Sequence, residues 1–508
     1  MISGRRTFLQ MVGAAAVASA GCARKAMSPD APIEVLATSE PLTLDPRYTS
    51  DVYGLRLSRL VHATLAAPDD DTLAPRGWLA ERLDLEDAGA VLVTLRAEAC
   101  FHDGSRVTAR DVVASFRALG DPSMHAPARR IVDELASIEA IDGDAGARIR
   151  FVPKKPRAIV RQDLDLPILR ADEAWSARGS RLTGCGPYAI TDATPYAIAL
   201  SPAETYGRFG GETARRPVIV RAVRDEAARA LRMLAGGADV APNAFAPALA
   251  MALPGHADAP PGLTAISRRA PTTTYLTFNL SRPPLDVPEV RTAIARAIDR
   301  RAIVDAKLPG AASLADGFLP DVIALCPRGR IGHPFDPDGA RSVLAGLGTK
   351  GVRLSLVVTA QRPRVALARA IAQMIGDAGL PVDVRPYELA TLTARLNAGD
   401  FDVAVQQAVE LNDPEMMRWY FHRAAIPPGG ANRGRIVDDV VDDLLDRGLA
   451  TLDDEQRRAI YAELEARVRD RALVAPLFHE DHVAVVSKRA AAFRPSADGR
   501  WGALSRIT

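Results

Sequence analysis

Hydrophobic residues follow two different spacings along the chain, and the two spacings alternate. Alternating apolar and polar positions predict strands, for example at 33–37, 91–95 and 274–279. Apolar residues that return every three or four positions predict helices, among them 51–65 and 365–378. Strands and helices follow each other closely in the second half of the chain. This order is typical of an α/β fold with a largely parallel sheet.

The segment 101–116 combines a turn, a helix cap and an amphipathic helix. Gly104 can take the positive backbone angle that a tight turn after Asp103 needs. Thr108 has the side chain of an N-cap, and Asp111 places a carboxylate at the positive start of the helix. The next turn has an apolar inward face, formed by Val112, Val113 and Phe116. Such helix starts are common, so this segment alone does not indicate a function.

A second block, 272–300, has a strand that ends in Phe278 and Asn279, a proline turn, and a helix with arginines on its outer face. Together with 101–116, it resembles the signature segments of the family 5 extracellular solute-binding proteins of ABC importers. That group includes oligopeptide, dipeptide and nickel binders. The resemblance covers roughly residues 31–490.

The resemblance implies an α/β, two-lobe periplasmic-binding-protein-like fold of the large class II type, with an extra subdomain in the first lobe. Mapped onto this chain, the first lobe is 31–270, with the extra subdomain at about 55–190. The second lobe is then 271–482, and 483–508 returns to the first lobe. A monomer of this kind would capture a peptide or a similar small solute between its lobes and deliver it to ABC permease subunits in the inner membrane.

The first 22 residues resemble an export signal. Arg5 and Arg6 form a twin-arginine pattern, and the apolar run 11–20 is too short to span a bilayer. Cys22 ends a lipobox-like sequence, although Ser19 stands where leucine is typical. We therefore expect export by the twin-arginine route and a lipid anchor on Cys22 at the extracytoplasmic face of the membrane. The alternative is a periplasmic protein that is cleaved nearby and carries no lipid.

Composition and cysteine spacing point to no special class of partner or metal site. The chain has 508 residues, of which 48% are hydrophobic, and its 64 basic and 62 acidic residues give a formal charge of +2. This balance does not favour a nucleic acid as partner. After Cys22, the remaining cysteines match no metal or redox motif and can form at most one disulfide; they are Cys100, Cys185 and Cys326. Cys185, between two glycines, is expected to be a buried structural thiol.

The candidate ligand contacts come from the resemblance. Asp413 lies in an Asn-Asp-Pro sequence that resembles the segment with which the family's peptide binders hold a ligand's ammonium group. A carboxylate in a closing cleft forms a strong charge-assisted hydrogen bond. Glu410 and Asn412 are its weaker neighbours, and Ser39 and Glu40 would face the cleft from the end of the first strand. The alternative for Asp413 is a turn that only ends a strand.

Three further residues complete the candidate set. Tyr53 and Trp419 could form apolar walls of the pocket, and Arg433 could hold a ligand carboxylate bidentately. Core packing is the alternative for the two aromatic residues, and a solvated loop for the arginine. Nickel or haem binding by members of the family also draws attention to three histidines, which are His422, His479 and His482. Eight scattered histidines are a background number, so we expect no metal and no cofactor.

An enzyme is the second hypothesis. A hydrolase or a redox enzyme would fit twin-arginine export, which often carries prefolded cofactor proteins. The sequence has neither Gly-x-Ser-x-Gly nor His-Glu-x-x-His, and it has no phosphate-binding loop. We therefore expect a protein without catalytic activity. A sensor or chaperone that reuses the fold is a third possibility, which fold alone does not exclude.

Overall fold

The computed structural model describes residues 31–157, 161–209, 214–329 and 332–508, so the leader with Cys22 lies outside the described residues. The strands are β1 (Ile33–Ala37), β2 (Ala66–Pro68), β3 (Pro75–Gly77), β4 (Ala80–Leu85), β5 (Val91–Leu95), β6 (Leu135–Ala140), β7 (Arg148–Pro153), β8 (Tyr188–Ala193), β9 (Ala197–Pro202), β10 (Val218–Ala222), β11 (Val240–Pro242), β12 (Thr264–Phe278), β13 (Ala312–Leu314), β14 (Leu354–Thr359), β15 (Val382–Tyr387), β16 (Val403–Ala408) and β17 (Val474–Val486). The helices are α1 (Val52–Val61), α2 (Ala109–Gly120), α3 (Arg129–Val132), α4 (Arg161–Leu164), α5 (Glu226–Leu234), α6 (Pro247–Ala252), α7 (Pro288–Ala297), α8 (Arg300–Lys307), α9 (Pro337–Gly346), α10 (Arg362–Asp377), α11 (Leu389–Ala398), α12 (Met417–Phe421), α13 (Asp439–Ala450) and α14 (Asp454–Asp470).

Two long antiparallel strands, β12 and β17, join the two halves of the main sheet. The strand order is β15-β14-β16-β12-β17-β11-β1-β10-β9-β8, and β13 pairs with β17 outside this path. The second half of β12 pairs with β16, whereas the second half of β17 pairs with β11. The pairing of β12 with β17 is irregular between Arg269 and Thr273, at the centre of both strands. Because both strands belong to both halves, they form the hinge between two lobes.

Each lobe has its own hydrophobic core. In the second lobe, fully buried residues of β14 and of the covering helices pack together, for example Leu356, Ile294 and Ile371. In the first lobe, Val35 of β1 packs in a core that also contains Trp501 from the C-terminal end of the described chain. Parallel strands with helices on their faces bury such continuous apolar runs. The α/β fold expected from the spacing is therefore present. The largely parallel sheet is not, because β12 and β17 pair antiparallel with each other and with β16 and β11, which makes the main sheet mixed.

A separate four-stranded sheet, β4-β5-β7-β6, forms the extra subdomain of the first lobe. Helix α2 covers it, and the rings of Phe116 and Phe151 meet edge to face with centroids 4.9 Å apart. Thr108 caps this helix in a capping box with Asp111, which confirms the prediction for this segment. The predicted helix 51–65 is shorter in the structure, since α1 ends at Val61.

Cys185 is a buried thiol, as expected. Its Sγ lies 3.7 Å from the carbonyl oxygen of Ile168, and burial raises its pKa to about 12. The thiol is therefore protonated and unreactive at neutral pH. A separate finding concerns the membrane: in the ranges that the structure covers, every helix is too short or too polar to cross one.

Candidate functional site

The segment after β16 carries most of the candidate residues of the second lobe. Glu410 takes a left-handed backbone angle, with φ of 54°, and the next amide, that of Leu411, donates to the carbonyl of Pro271 on the hinge strand β12 over 2.9 Å. Asp413 then starts a single helical turn by accepting from the amide of Glu415 at 2.8 Å. The side chain of Glu410 is exposed at the start of this segment.

The carboxylate of Asp413 already has a strong partner. Its Oδ1 forms an ion pair with Nη2 of Arg457 at 2.8 Å, and the arginine side chain is only 5% exposed. Removing one partner of such a pair leaves an uncompensated buried charge. A ligand ammonium group would therefore compete with Arg457 for Asp413. Nearby, the buried Oδ1 of Asn412 has no hydrogen-bond partner within the described ranges.

Glu415 connects the second lobe to the extra subdomain of the first. Its carboxylate lies 3.5 Å from Nη1 of Arg157, which also pairs with the buried Asp163 of its own lobe. Burial raises the pKa of Glu415 to about 7, although Arg157 opposes this rise. This is a direct contact between the lobes across the cleft.

Trp419 makes a second contact between the lobes. Its ring is 44% exposed, and the guanidinium carbon of Arg130 lies 5.9 Å from the ring centroid. A cation over an indole face is attracted by the ring quadrupole. The two contacts, through Glu415 and Trp419, hold the extra subdomain against the segment that carries Glu410.

Arg433 lies on the same face of the second lobe. It donates to Oε1 of Gln406 at 2.7 Å and to Oδ1 of Asn397 at 3.2 Å, and no carboxylate pairs with it in the part of the chain described. Burial raises the pKa of Tyr420 to about 12, and the nearby positive charge of Arg433 opposes the rise, whereas Glu410 adds to it. Glu410 and Arg433 thus bring opposite charges to the surroundings of Tyr420.

The first-lobe candidates lie together around a small cavity of about 10 Å³. Ser39, Glu40 and Tyr53 all line it. Glu40 pairs with Arg224 at 2.9 Å within the first lobe. The hydroxyl of Tyr53 accepts from the amide of Thr38 at 3.0 Å, and its ring is buried. The cavity is too small for a solute. Ser39, Glu40 and Tyr53 could contact a ligand only in a form of the protein in which this cavity is wider.

A larger cavity, of about 570 Å³, lies at the boundary of the lobes. It is lined by Asp71 and Thr72 of the first lobe and by residues 321–324 and 326–329 of the second, among others. Its volume is in the range of small-molecule sites. Another cavity, of about 670 Å³, lies within the first lobe beside His62 and His102. No group of three or more His, Cys, Asp or Glu in the described ranges could hold a metal ion.

The comparisons decide the family. Residues 74–426 match the model of the bacterial extracellular solute-binding proteins, family 5 Middle. The chain belongs to this family. Among its members, Di/tripeptide-binding protein 2 of Pseudomonas aeruginosa is 27% identical over 486 residues, which is 88% of this chain and 89% of that protein. Heme-binding protein A of Haemophilus influenzae is 24% identical over 83% of this chain and 82% of its own length.

A solved structure has the same fold. The ABC transporter substrate binding protein CtaP of Listeria monocytogenes superposes with a TM-score of 0.82 at 21% identity, covering 93% of this chain and 98% of that protein. The fold of this family 5 protein is thus a two-lobe periplasmic-binding-protein fold. The three similar proteins given above are all named as binding proteins.

Sequence reasoning missed one residue that connects the two groups of candidates. Arg56 on α1 is 9% exposed and lies over the rings of Tyr53 and Trp501, with its guanidinium carbon 5.7 and 5.5 Å from their centroids. The charge of Glu410 from the second lobe acts on it as well. A signal was present in the sequence, because Arg56 interrupts the apolar face that begins with Tyr53 and continues with Leu57.

Proposed function

We propose that this family 5 protein is an extracytoplasmic receptor that captures a peptide or a peptide-like solute between its lobes and delivers it to an ABC permease. The observation that carries this proposal is the pair of contacts between the lobes, at Arg157–Glu415 and Arg130–Trp419. They close the extra subdomain over the segment that begins at Glu410. Ligand contacts from both lobes would add to them and favour the closed state by their differential binding free energy. The permease would recognise that state.

The names of the relatives support a peptide-like ligand without fixing it. The similar proteins include a di/tripeptide-binding protein and a heme-binding protein. Within this chain, the exposed Glu410 has no ion-pair partner in the described ranges, whereas Asp413 is held by Arg457. We therefore place the ligand ammonium group at Glu410, with Asn412 as a neutral neighbour, and assign Asp413 a structural part in shaping the segment.

The other candidate residues would form the walls of the pocket. Trp419 offers an exposed aromatic face, and Arg433 offers a positive charge that has only neutral hydrogen-bond partners in the described part. Ser39, Glu40 and Tyr53 would border the pocket from the first lobe. Aromatic area combined with a few placed polar groups is the usual lining of a small-molecule site.

Export and anchoring are part of the same proposal. The twin-arginine pattern would direct the folded protein across the membrane, and acylation of Cys22 would hold it beside the permease. A single acyl chain gives weak, reversible binding, so stable anchoring at Cys22 would need more than one chain.

A thermal-shift screen of the purified mature protein tests the proposal. Di- and tripeptides, opines, sugars and nickel chelates would be compared at equal concentration. A true ligand stabilises the protein by about 2.7 kcal/mol when it is present at a hundredfold excess over its dissociation constant. We expect a peptide or a related zwitterion to do so, and the Glu410→Gln variant to bind it about tenfold more weakly or worse. If no solute stabilised the protein and the protein turned over an ester or a peptide, the proposed receptor function would be contradicted.

A further inference from the structure

In the part of the chain described, Glu415 belongs to a cluster of three carboxylates and two arginines at the contact between the lobes. Arg157 is paired with Asp163 of its own subdomain. Arg457 is paired with Asp413 of its own lobe at 2.8 Å. Glu415 lies 3.5 Å from Arg157 and accepts no hydrogen bond within the described ranges, although its side chain is only 18% exposed. A buried charge is costly unless it is paired and hydrogen-bonded, so the closed cluster favours a neutral Glu415.

The charged and titratable groups that face Glu415 come from the extra subdomain, from its own segment and from α14. They are Arg157, Asp163, Asp413, Arg457 and Tyr461. Burial raises the pKa of Glu415 to about 7; the two aspartates add to this rise, and the two arginines oppose it. Burial also raises the pKa of Tyr461, so this phenol stays neutral. Glu415 therefore changes its charge near neutral pH.

Separation of the lobes would divide this cluster without breaking its short ion pairs. Arg157 and Asp163 would move together with the extra subdomain. Arg457 and Asp413 would stay together in the second lobe. Glu415 alone would pass from the closed contact into water. Hydration stabilises an ionised carboxylate far more than a protonated one, so ionisation of Glu415 favours the open state.

We propose that Glu415 is a pH-sensitive latch between the lobes, which keeps them closed when it is protonated and lets them open more often when it is ionised. This inference rests on the proposed receptor function and adds its regulation, because a solute enters or leaves while the lobes are apart. The closed state binds a proton that the open state releases. The advantage of the closed state is therefore full below pH 4.5 and is lost as the pH rises through about 7.

Hydrogen exchange of the ligand-free protein, measured by mass spectrometry from pH 6 to pH 8, tests the latch without any solute. The informative peptides cover 129–135 and 410–421, which lie on the two surfaces that closure brings together. Dividing their exchange rates in the wild type by those in Glu415→Gln cancels the intrinsic pH dependence of exchange. We expect this ratio to rise about tenfold from pH 6 to pH 8, because the pKa of Glu415 is about 7 in the closed state and returns to its ordinary 4.5 in the open one.

Two further variants make the comparison specific. Glu415→Met is a second neutral side chain at the same position and should give the same ratio as Glu415→Gln. Glu455→Gln on α14 is the matched control, because this carboxylate is largely exposed, and its ratio to the wild type should stay constant with pH. A ratio for Glu415→Gln that is constant with pH, or that falls as the pH rises, would overturn the latch and leave the receptor standing.

Dissociation of a bound dipeptide, followed by stopped-flow competition, connects the latch to solute exchange. In the wild type, the dissociation rate constant should be about tenfold higher at pH 8 than at pH 6, whereas Glu415→Gln should release the dipeptide slowly at both pH values. The affinity should change less than the rates, because the closed state holds the same proton with and without the solute. Equal pH dependence of the rates in the two proteins would overturn the latch. If no dipeptide binds, the peptide receptor fails, and hydrogen exchange alone decides the latch.

Discussion

The buried Glu415 allows a prediction with a definite sign. Its carboxylate faces Arg157 across the cleft, but Arg157 is shared with Asp163, and Asp413 adds a further negative charge. Burial therefore outweighs the attraction, and the pKa of Glu415 rises to about 7 from its ordinary 4.5. An acid of raised pKa binds a proton in the folded state at pH values where the unfolded chain has released it. Stability must then fall as the pH rises from about 4.5 to 7.

The size of this effect follows from the two pKa values. A difference between about 7 and 4.5 corresponds to about 3 kcal/mol, of which about 2.5 kcal/mol falls between pH 5 and pH 8. The Glu415 side chain is 18% exposed, so solvent reduces this figure only modestly. The Glu415→Gln variant stays neutral and mimics the protonated acid at every pH. The unfolding free energy of the variant minus that of the wild type should therefore increase by about 2 to 3 kcal/mol between pH 5 and pH 8.

Urea unfolding of the ligand-free protein at several pH values between 5 and 8 measures this difference. Other titrating groups act on both proteins alike, so the difference between the two curves reports Glu415. Glu455→Gln is a suitable control, because this carboxylate pairs with Arg458 at the surface and is largely exposed. The reasoning is refuted if the wild type and Glu415→Gln have parallel pH profiles, or if the variant loses stability relative to the wild type as the pH rises.

Three other changes have definite expected outcomes. Asp413→Asn should lower the unfolding free energy by about 3 kcal/mol in denaturant titrations, because it leaves Arg457 buried without its charged partner. Its affinity for ligand should change less than that of a variant of a direct contact such as Glu410→Gln. A large loss of affinity with unchanged stability would contradict this. Trp419→Ala should weaken ligand binding measured by calorimetry at least severalfold, since it removes both an aromatic wall and the contact with Arg130, and unchanged affinity would place the ligand elsewhere. Cys22→Ser should move the protein from the membrane pellet to the soluble extracytoplasmic fraction, whereas an unchanged distribution would exclude the lipid anchor.

The sequence predicts the elements and the family better than it predicts the site. Thr108 and Asp111 form a capping box because both partners lie within one turn, and such local pairs can be read from spacing. Strand β12 is likewise recognisable from its alternation. Its length is not, because pairing with β17 across both lobes extends the strand to 15 residues.

The site depends on partners that are distant in sequence. Asp413 and Arg457 are separated by 44 positions, and no spacing rule connects them. Glu415 and Arg157 meet only because the extra subdomain packs against the second lobe. Arg56 is different, since a charged residue on the apolar face of α1 is visible in the sequence. That Arg56 has no hydrogen-bond or ion-pair partner among the described residues is not visible in the sequence, because it depends on the folded surroundings.

Calorimetric titration of one zwitterionic dipeptide into four proteins tests the central claim, capture between the lobes, most directly. The proteins are the wild type, Glu40→Gln of the first lobe, Glu410→Gln of the second, and the double variant. The account predicts one saturable site in the wild type, with affinity reduced about tenfold or more by each single change and further by both. A loss of affinity in only one of the two single variants would mean that the ligand is held by one lobe and is not captured between them.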